Sequence, residues 1–227
     1  LSGRSCAVCG ERLFTAEGGE AVCGECRFEP PPFRRAIAYG GYEGGMRELI
    51  HLLKYERVRP AAGVLGRMLA QCIAELAREF GSEVPIVVPV PLHRAKARQR
   101  GFNQSELIAA AALKLLRAEL PRLELLPSAL ERVRPTESQT GLTRAQRRDN
   151  VRAAFHIPRP DRIERRAVLL VDDVYTTGTT VSECARALRR GGASAVWVAT
   201  VARSMRGAAA LEAPEGGIEG AGAAGEC

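Results

Sequence analysis

Ala167-Val168-Leu169-Leu170-Val171-Asp172-Asp173-Val174-Tyr175-Thr176-Thr177-Gly178-Thr179-Thr180 is the stretch that decides the fold. It opens with five apolar residues and no alternation, the pattern of a parallel strand buried on both faces. Two adjacent carboxylates stand where that strand ends, and a run of hydroxyls around Gly178 follows. Val181 to Leu188 then reads as a helix that stops near Gly191-Gly192. Strand, acidic tip, Thr/Gly loop and helix together predict an anion site at the carboxyl end of an open α/β sheet.

The chemistry of the site follows from its parts. Backbone N–H groups of Thr177 to Thr180 open the helix, so they point one way and, with the hydroxyls, can hold a phosphate without a lysine. A nucleoside triphosphate loop would end in Gly-Lys-Ser/Thr, which is missing here, so a single phosphate is expected. Asp172 and Asp173 cannot face that phosphate, because like charges repel. They are expected to accept hydroxyls of an attached sugar or to form an outer shell for Mg²⁺. A ribose 5-phosphate fits both halves.

Working outward, Val84 to Pro91 is a second buried strand ended by prolines, and Ala193 to Val201 a third, holding Trp197. Ala36 to Tyr39 is a further strand that Gly40-Gly41 should weaken into a turn. Met46 to Val58 and Gly63 to Phe80 carry apolar residues at helical spacing and read as packing helices, and Ser105 to Leu120 as another helix. Leu123 to Val133 should contain a strand. The expected fold class is α/β, an open parallel sheet flanked by helices.

At the amino end, Cys6-Ala7-Val8-Cys9 and Cys23-Gly24-Glu25-Cys26 are two C-x-x-C pairs 13 residues apart. Four thiolates make a closed tetrahedral zinc site, and Leu13, Phe14 and Val22 between them offer too small a core to fold without a staple. Disulfides would need an oxidising compartment, for which the chain carries no address. Pro30-Pro31-Pro32 is a stiff spacer, so the expected division is 1–29 for a zinc module, 33–206 for the α/β domain and 207–227 for a disordered Ala/Gly/Glu tail. Cys72 and Cys184 read as core thiols. His51, His93 and His156 are isolated, and no catalytic histidine is expected.

The chain carries 33 Lys/Arg against 26 Asp/Glu, a net +7. The surplus is concentrated between Arg94 and Arg166, with 17 cations against 8 anions. That implies a polyanionic ligand, whether pyrophosphate or nucleic acid. Within it, Arg94, Lys96, Arg98 and Arg100 alternate through seven positions, a run too charged for a core. No apolar run approaches the roughly 20 residues of a membrane span, and no signal peptide is expected, so the predicted location is cytoplasmic.

The central stretch resembles the phosphoribosyl pyrophosphate (PRPP) signature of type I phosphoribosyltransferases: apolar residues, two acids, a spacer, then Thr-Gly-Thr-Thr. Pro89-Val90-Pro91-Leu92, Arg100-Gly101-Phe102-Asn103-Gln104, the four cysteines and the segment Arg132-x-Arg134-x-Thr136-x-x-Gln139 with Arg147, Asn150 and Phe155 narrow the resemblance to the ComF family, associated with competence for DNA uptake. The likeness implies that Asp172 and Asp173 are the catalytic acids on the ribose hydroxyls. It implies that Thr176, Thr177, Gly178, Thr179 and Thr180 bind the 5-phosphate, and that the loop of Arg94, Lys96, Arg98 and Arg100 binds pyrophosphate. A flexible loop with Arg134, Gln139 and Arg147 would close over PRPP. Structural Zn²⁺ on Cys6, Cys9, Cys23 and Cys26, Mg²⁺ with PRPP, and phosphoribosyl transfer complete the implied set. The alternative is a non-catalytic module that uses the same cations on single-stranded DNA, with competence or recombination proteins as partners and oligomers possible.

Overall fold

The computed structural model describes residues 4–13, 21–134 and 153–204. Phe14, Gln139, Arg147, Asn150 and the 207–227 tail lie outside the described residues. In chain order the elements are β1 (Arg4–Ser5), β2 (Arg12–Leu13), α1 (Gly24–Phe28), β3 (Ala36–Gly41), α2 (Gly44–Tyr55), α3 (Ala61–Ala77), β4 (Ile86–Pro89), α4 (Arg94–Arg100), α5 (Gln104–Leu116), β5 (Glu124–Leu125), β6 (Glu131–Arg132), β7 (Phe155–His156), β8 (Ala167–Tyr175), α6 (Thr179–Arg190) and β9 (Ala195–Arg203).

Five strands form one parallel sheet in the order β3-β9-β8-β4-β5. The unalternating run 167–171 is its middle, and every residue from Ala167 to Val171 is buried. Helices cover both faces, as a two-sided apolar strand requires. Val168 and Leu170 pack with Val181, Cys184 and Leu188 of α6, while Leu169 and Val171 pack with residues of α2, α3 and α5. Helix α3 lies against α5 closely enough that a Cβ on Gly66 would meet the Ala111 Cβ at 2.5 Å.

From β4 the chain crosses to β5 on one side, and from β8 to β9 on the other. The carboxyl ends of β4 and β8 are therefore the point where strand order reverses, where open α/β sheets hold ligands. Asp172 and Asp173 come directly after the last position paired with β4. They lie inside β8, which runs on to Tyr175 in register with β9 rather than ending at the acids as expected.

Three further expectations change. Gly40 and Gly41 continue β3, held in register with Ala202 and Arg203 of the neighbouring β9, so pairing overrides their weak propensity. The segment from Leu123 holds two short strands around a 3₁₀ turn at Pro127–Ala129, with only β5 in the main sheet; β6 pairs antiparallel with β7. The cationic run from Arg94 to Arg100 is a short helix, not a loop. The His93 imidazole accepts a hydrogen bond from Ala95 N–H at its start, and Gly101, at φ 83°, ends it.

Candidate functional site

Strand β8 delivers the acid pair. Asp172 Oδ1 accepts from Ser105 Oγ at 2.9 Å and from the Asp173 backbone N–H at 2.9 Å. Asp173 is ion-paired with Lys54, from the end of α2, and its Oδ1 accepts from Gln104 Nε2 at 3.4 Å. Gln104 Oε1 accepts in turn from Arg100 Nη1 at 2.5 Å. Both carboxylates are buried. Burial and then the neighbouring Asp173 charge push Asp172 up to about 8. Burial also acts to raise Asp173, but Lys54 beside it outweighs that and holds it below the usual carboxylate range. At neutral pH the pair thus carries about one negative charge, balanced by Lys54.

Beside the acids lies a basic cavity of about 150 Å³, lined by Lys54, Tyr55, Arg57, Lys96, Gln99 and Arg100. Lys96 and Arg100 are four apart on α4 and share this face. Burial, then the positive charges of Arg100 and Lys54, hold Lys96 below the usual lysine value, a strain that an anion would relieve. Of the four cations expected to bind pyrophosphate, the structure brings Lys96 and Arg100 here. Arg94 faces Glu131 at 3.4 Å, and Arg98 does not line the cavity.

The Thr/Gly loop faces a different space. Gly178, at φ 76°, is the N-cap of α6, and no side chain caps the helix. Thr177 and Thr179 hydroxyls meet at 2.7 Å. With Gly178, Ser182, Arg186 and Arg203 they line a cavity of about 60 Å³ that is also lined by the N-terminal module, through Cys9, Cys26 and Glu29 among others. Thr176 and Thr180 flank the loop without lining this cavity. The acids do not line it either, so the two halves of the expected sugar-phosphate site sit side by side rather than in one hollow. Arg134 ends the described segment and is exposed.

The four cysteines meet. Their Sγ atoms all lie within 4.8 Å of one another, and those of Cys9 and Cys23 are 3.7 Å apart. Tetrahedral zinc with bonds near 2.3 Å sets its sulfurs about 3.8 Å apart, so the group fits that ion. The Cys6 sulfur accepts backbone N–H groups of Cys23 at 3.3 Å and Cys9 at 3.5 Å. Burial acts to raise the Cys6 thiol, but these donors prevail and lower it to about 7. Among the described residues no other group of His, Cys, Asp or Glu gathers closely enough to hold a metal.

The phosphoribosyl transferase domain family matches residues 66–216, most of the chain. The DNA utilization protein YhgH of Escherichia coli K12 is 34% identical over 88% of this chain and 84% of its own length. The chain belongs to the ComF family of phosphoribosyltransferase-like proteins. Competence protein F of Haemophilus influenzae is 30% identical over 88% of this ComF chain and 84% of its own, and competence protein ComFC of Bacillus subtilis 24% over 90% and 80%. No helix among the described residues of the ComF chain is long and apolar enough to cross a membrane.

Sequence reasoning missed Lys54, read there only as the end of a packing helix, and the binding of Ser105 and Gln104 to the acids. Gln104 closes the Arg-Gly-Phe-Asn-Gln motif, and Ser105 follows it directly. That position at the start of a helix beside the acidic strand was the available signal. Lys54 had none, since a lysine in the last turn of an amphipathic helix is what the helix dipole alone would favour.

Proposed function

We propose that the protein binds PRPP and transfers its phosphoribosyl group. Residues 1–29 act as a zinc module and residues 33–206 as the binding domain, working in the cytoplasm. The observation that carries this reading is the uncapped start of α6 with the Thr177 and Thr179 hydroxyls at a cavity, immediately after Asp172-Asp173 at the switch point of the sheet. The loop takes the 5-phosphate through helix N–H groups and hydroxyls. Asp173 and Asp172 accept the ribose hydroxyls, for which Lys54 must give way. Lys96 and Arg100, with the released Lys54, receive the diphosphate and stabilise the negative charge that grows on it as the bond to C1 of the ribose breaks. Among the described residues no third carboxylate or imidazole gathers with Asp172 and Asp173 to hold a metal. Mg²⁺ bound with PRPP would therefore be held mainly by the diphosphate and would supply charge neutralisation there.

Incubation with PRPP, Mg²⁺ and a panel of nucleophilic acceptors should release pyrophosphate. Asp173→Asn should weaken PRPP binding about tenfold or more in calorimetry, the loss of a charge-assisted hydrogen bond or two. Unchanged affinity in that variant would remove the acid pair from the site.

One observation favours a ligand other than PRPP and no turnover: Lys54 already neutralises Asp173, so a ribose has to displace a cation to reach the acids. On that reading the cation-rich middle of the chain holds single-stranded DNA or partners in DNA uptake, as the names of the DNA utilization and competence relatives suggest.

A further inference from the structure

Arg203, the last residue of β9, has its guanidinium inside the protein although the strand ends there; its side chain is 7% exposed. Each arm of the fork meets the N-terminal module. Nη1 donates to the Cys9 carbonyl at 2.6 Å, and Nη2 to Glu11 Oε2 at 2.5 Å. The Cys9 Sγ lies 3.8 Å from Nη2. The guanidinium lies over the Tyr175 ring, with Cζ 4.2 Å from the ring centre.

Tyr175 in turn is the floor of the Thr/Gly loop. A Cβ built on Gly178 would stand 2.2 Å from the phenol oxygen, so ring and loop backbone are in tight contact. Cys9, Arg203, Tyr175 and Gly178 all line the loop cavity. The candidate metal ligand Cys9 and the loop are thus linked through two side chains in contact, Arg203 and Tyr175.

A buried guanidinium that loses its acceptors cannot stay where it is, because the desolvation of the charge is no longer compensated. If the four thiols release their metal and the Cys9–Glu11 turn relaxes, Arg203 must reorient. Tyr175 then loses the cation on its face, and Gly178 loses its floor. We propose that Arg203 is a positioning residue through which metal binding at the four cysteines sets the geometry of the Thr177–Thr179 loop. Its consequence for ligand binding rests on the phosphate role given to that loop above.

Hydrogen–deuterium exchange on the full chain tests the coupling without a ligand, reading peptides over 176–182 and 23–28 separately. In zinc-loaded Arg203→Lys, which keeps the charge and loses the fork, exchange over 176–182 should rise about tenfold while 23–28 stays close to wild type. Stripping zinc from the wild-type protein should raise 176–182 to the same level, and stripping the variant should add nothing there. Wild-type exchange over 176–182 in loaded Arg203→Lys overturns the proposal. So does an equal response to stripping in both proteins, or a purified chain that takes up no zinc. Should Arg203→Lys fail to fold, Glu11→Gln weakens one arm only and carries the same comparison at smaller amplitude. PRPP titration is a separate arm. If the wild-type protein binds no PRPP, the phosphate reading falls, and the exchange data still decide the role of Arg203.

Discussion

Asp172 and Gly178 are the two residues at which the site departs most from an ordinary strand and loop. Asp172 titrates near 8 in the fold, first because it is buried and then because Asp173 is charged, against about 3.9 in an unfolded chain. Below about pH 4 both states hold the proton; between about 4 and 8 only the folded state does. Its contribution to stability is therefore complete at low pH and is lost as pH rises through the folded value. Asp173 runs the other way, with stability present above the unfolded value and lost as pH falls below it. Denaturation of the zinc-loaded protein between pH 5.5 and 8.5 isolates Asp172. Asp172→Asn should gain on the wild type steadily across that window, and a constant difference would mean Asp172 is ionised throughout. At Gly178, alanine has to adopt a left-handed φ and overlap the Tyr175 hydroxyl. We expect Gly178→Ala to cost ~1–3 kcal/mol in urea denaturation. Tyr175→Phe, which removes the nearest atom, should recover part of that loss in the double variant. Strict additivity would show that Tyr175 does not floor the loop.

Helix α4 is the element whose form changes the reading of its residues. Cations at every second position look like one continuous lining if the segment is extended. Wound at 3.6 residues per turn, the same positions divide, with Lys96 and Arg100 toward Lys54 and Arg94 toward Glu131. Lys96→Ala should weaken PRPP binding about tenfold, and Arg94→Ala should change it less than twofold; equal losses would contradict the division. The elements that sequence revealed are those whose whole length obeys one pattern: the apolar run of β8, the periodic α2 and α3, the paired cysteines. Helix α4 escaped because seven residues without an apolar stripe carry no helical period, and its start depends on the His93 cap and its stop on Gly101. The partners of the acids, and the Arg203 link to the N-terminal module, escaped for a related reason. Lys54, Ser105 and Arg203 take their roles from residues 119, 67 and 192 or more positions away along the chain, a separation no local pattern reports.

At the scale of the whole molecule, the surplus of positive charge lies in the middle of the sequence, and part of it borders the carboxyl edge of the sheet through α4. If single-stranded DNA binds there, the logarithm of affinity should fall linearly with the logarithm of salt concentration, with a slope of about −0.7 for each phosphate neutralised. A fluorescence titration in rising salt measures that slope. Affinity that is absent at low salt, or independent of salt, would remove nucleic acid from consideration. PRPP competing with the strand would put both ligands on the cations of α4; simultaneous binding would separate them.

The bond from Arg203 to the Cys9 carbonyl spans 194 positions. During synthesis from the amino end the cysteines leave the ribosome well before the residue that anchors them. At roughly 5–20 residues per second, the interval is about 10–40 s. For that time four thiols have a metal to catch but lack the anchor that Arg203 supplies. Final seating of the module therefore awaits the completion of β9, and a chain cut short before that strand would keep its cysteines without the dock made for them.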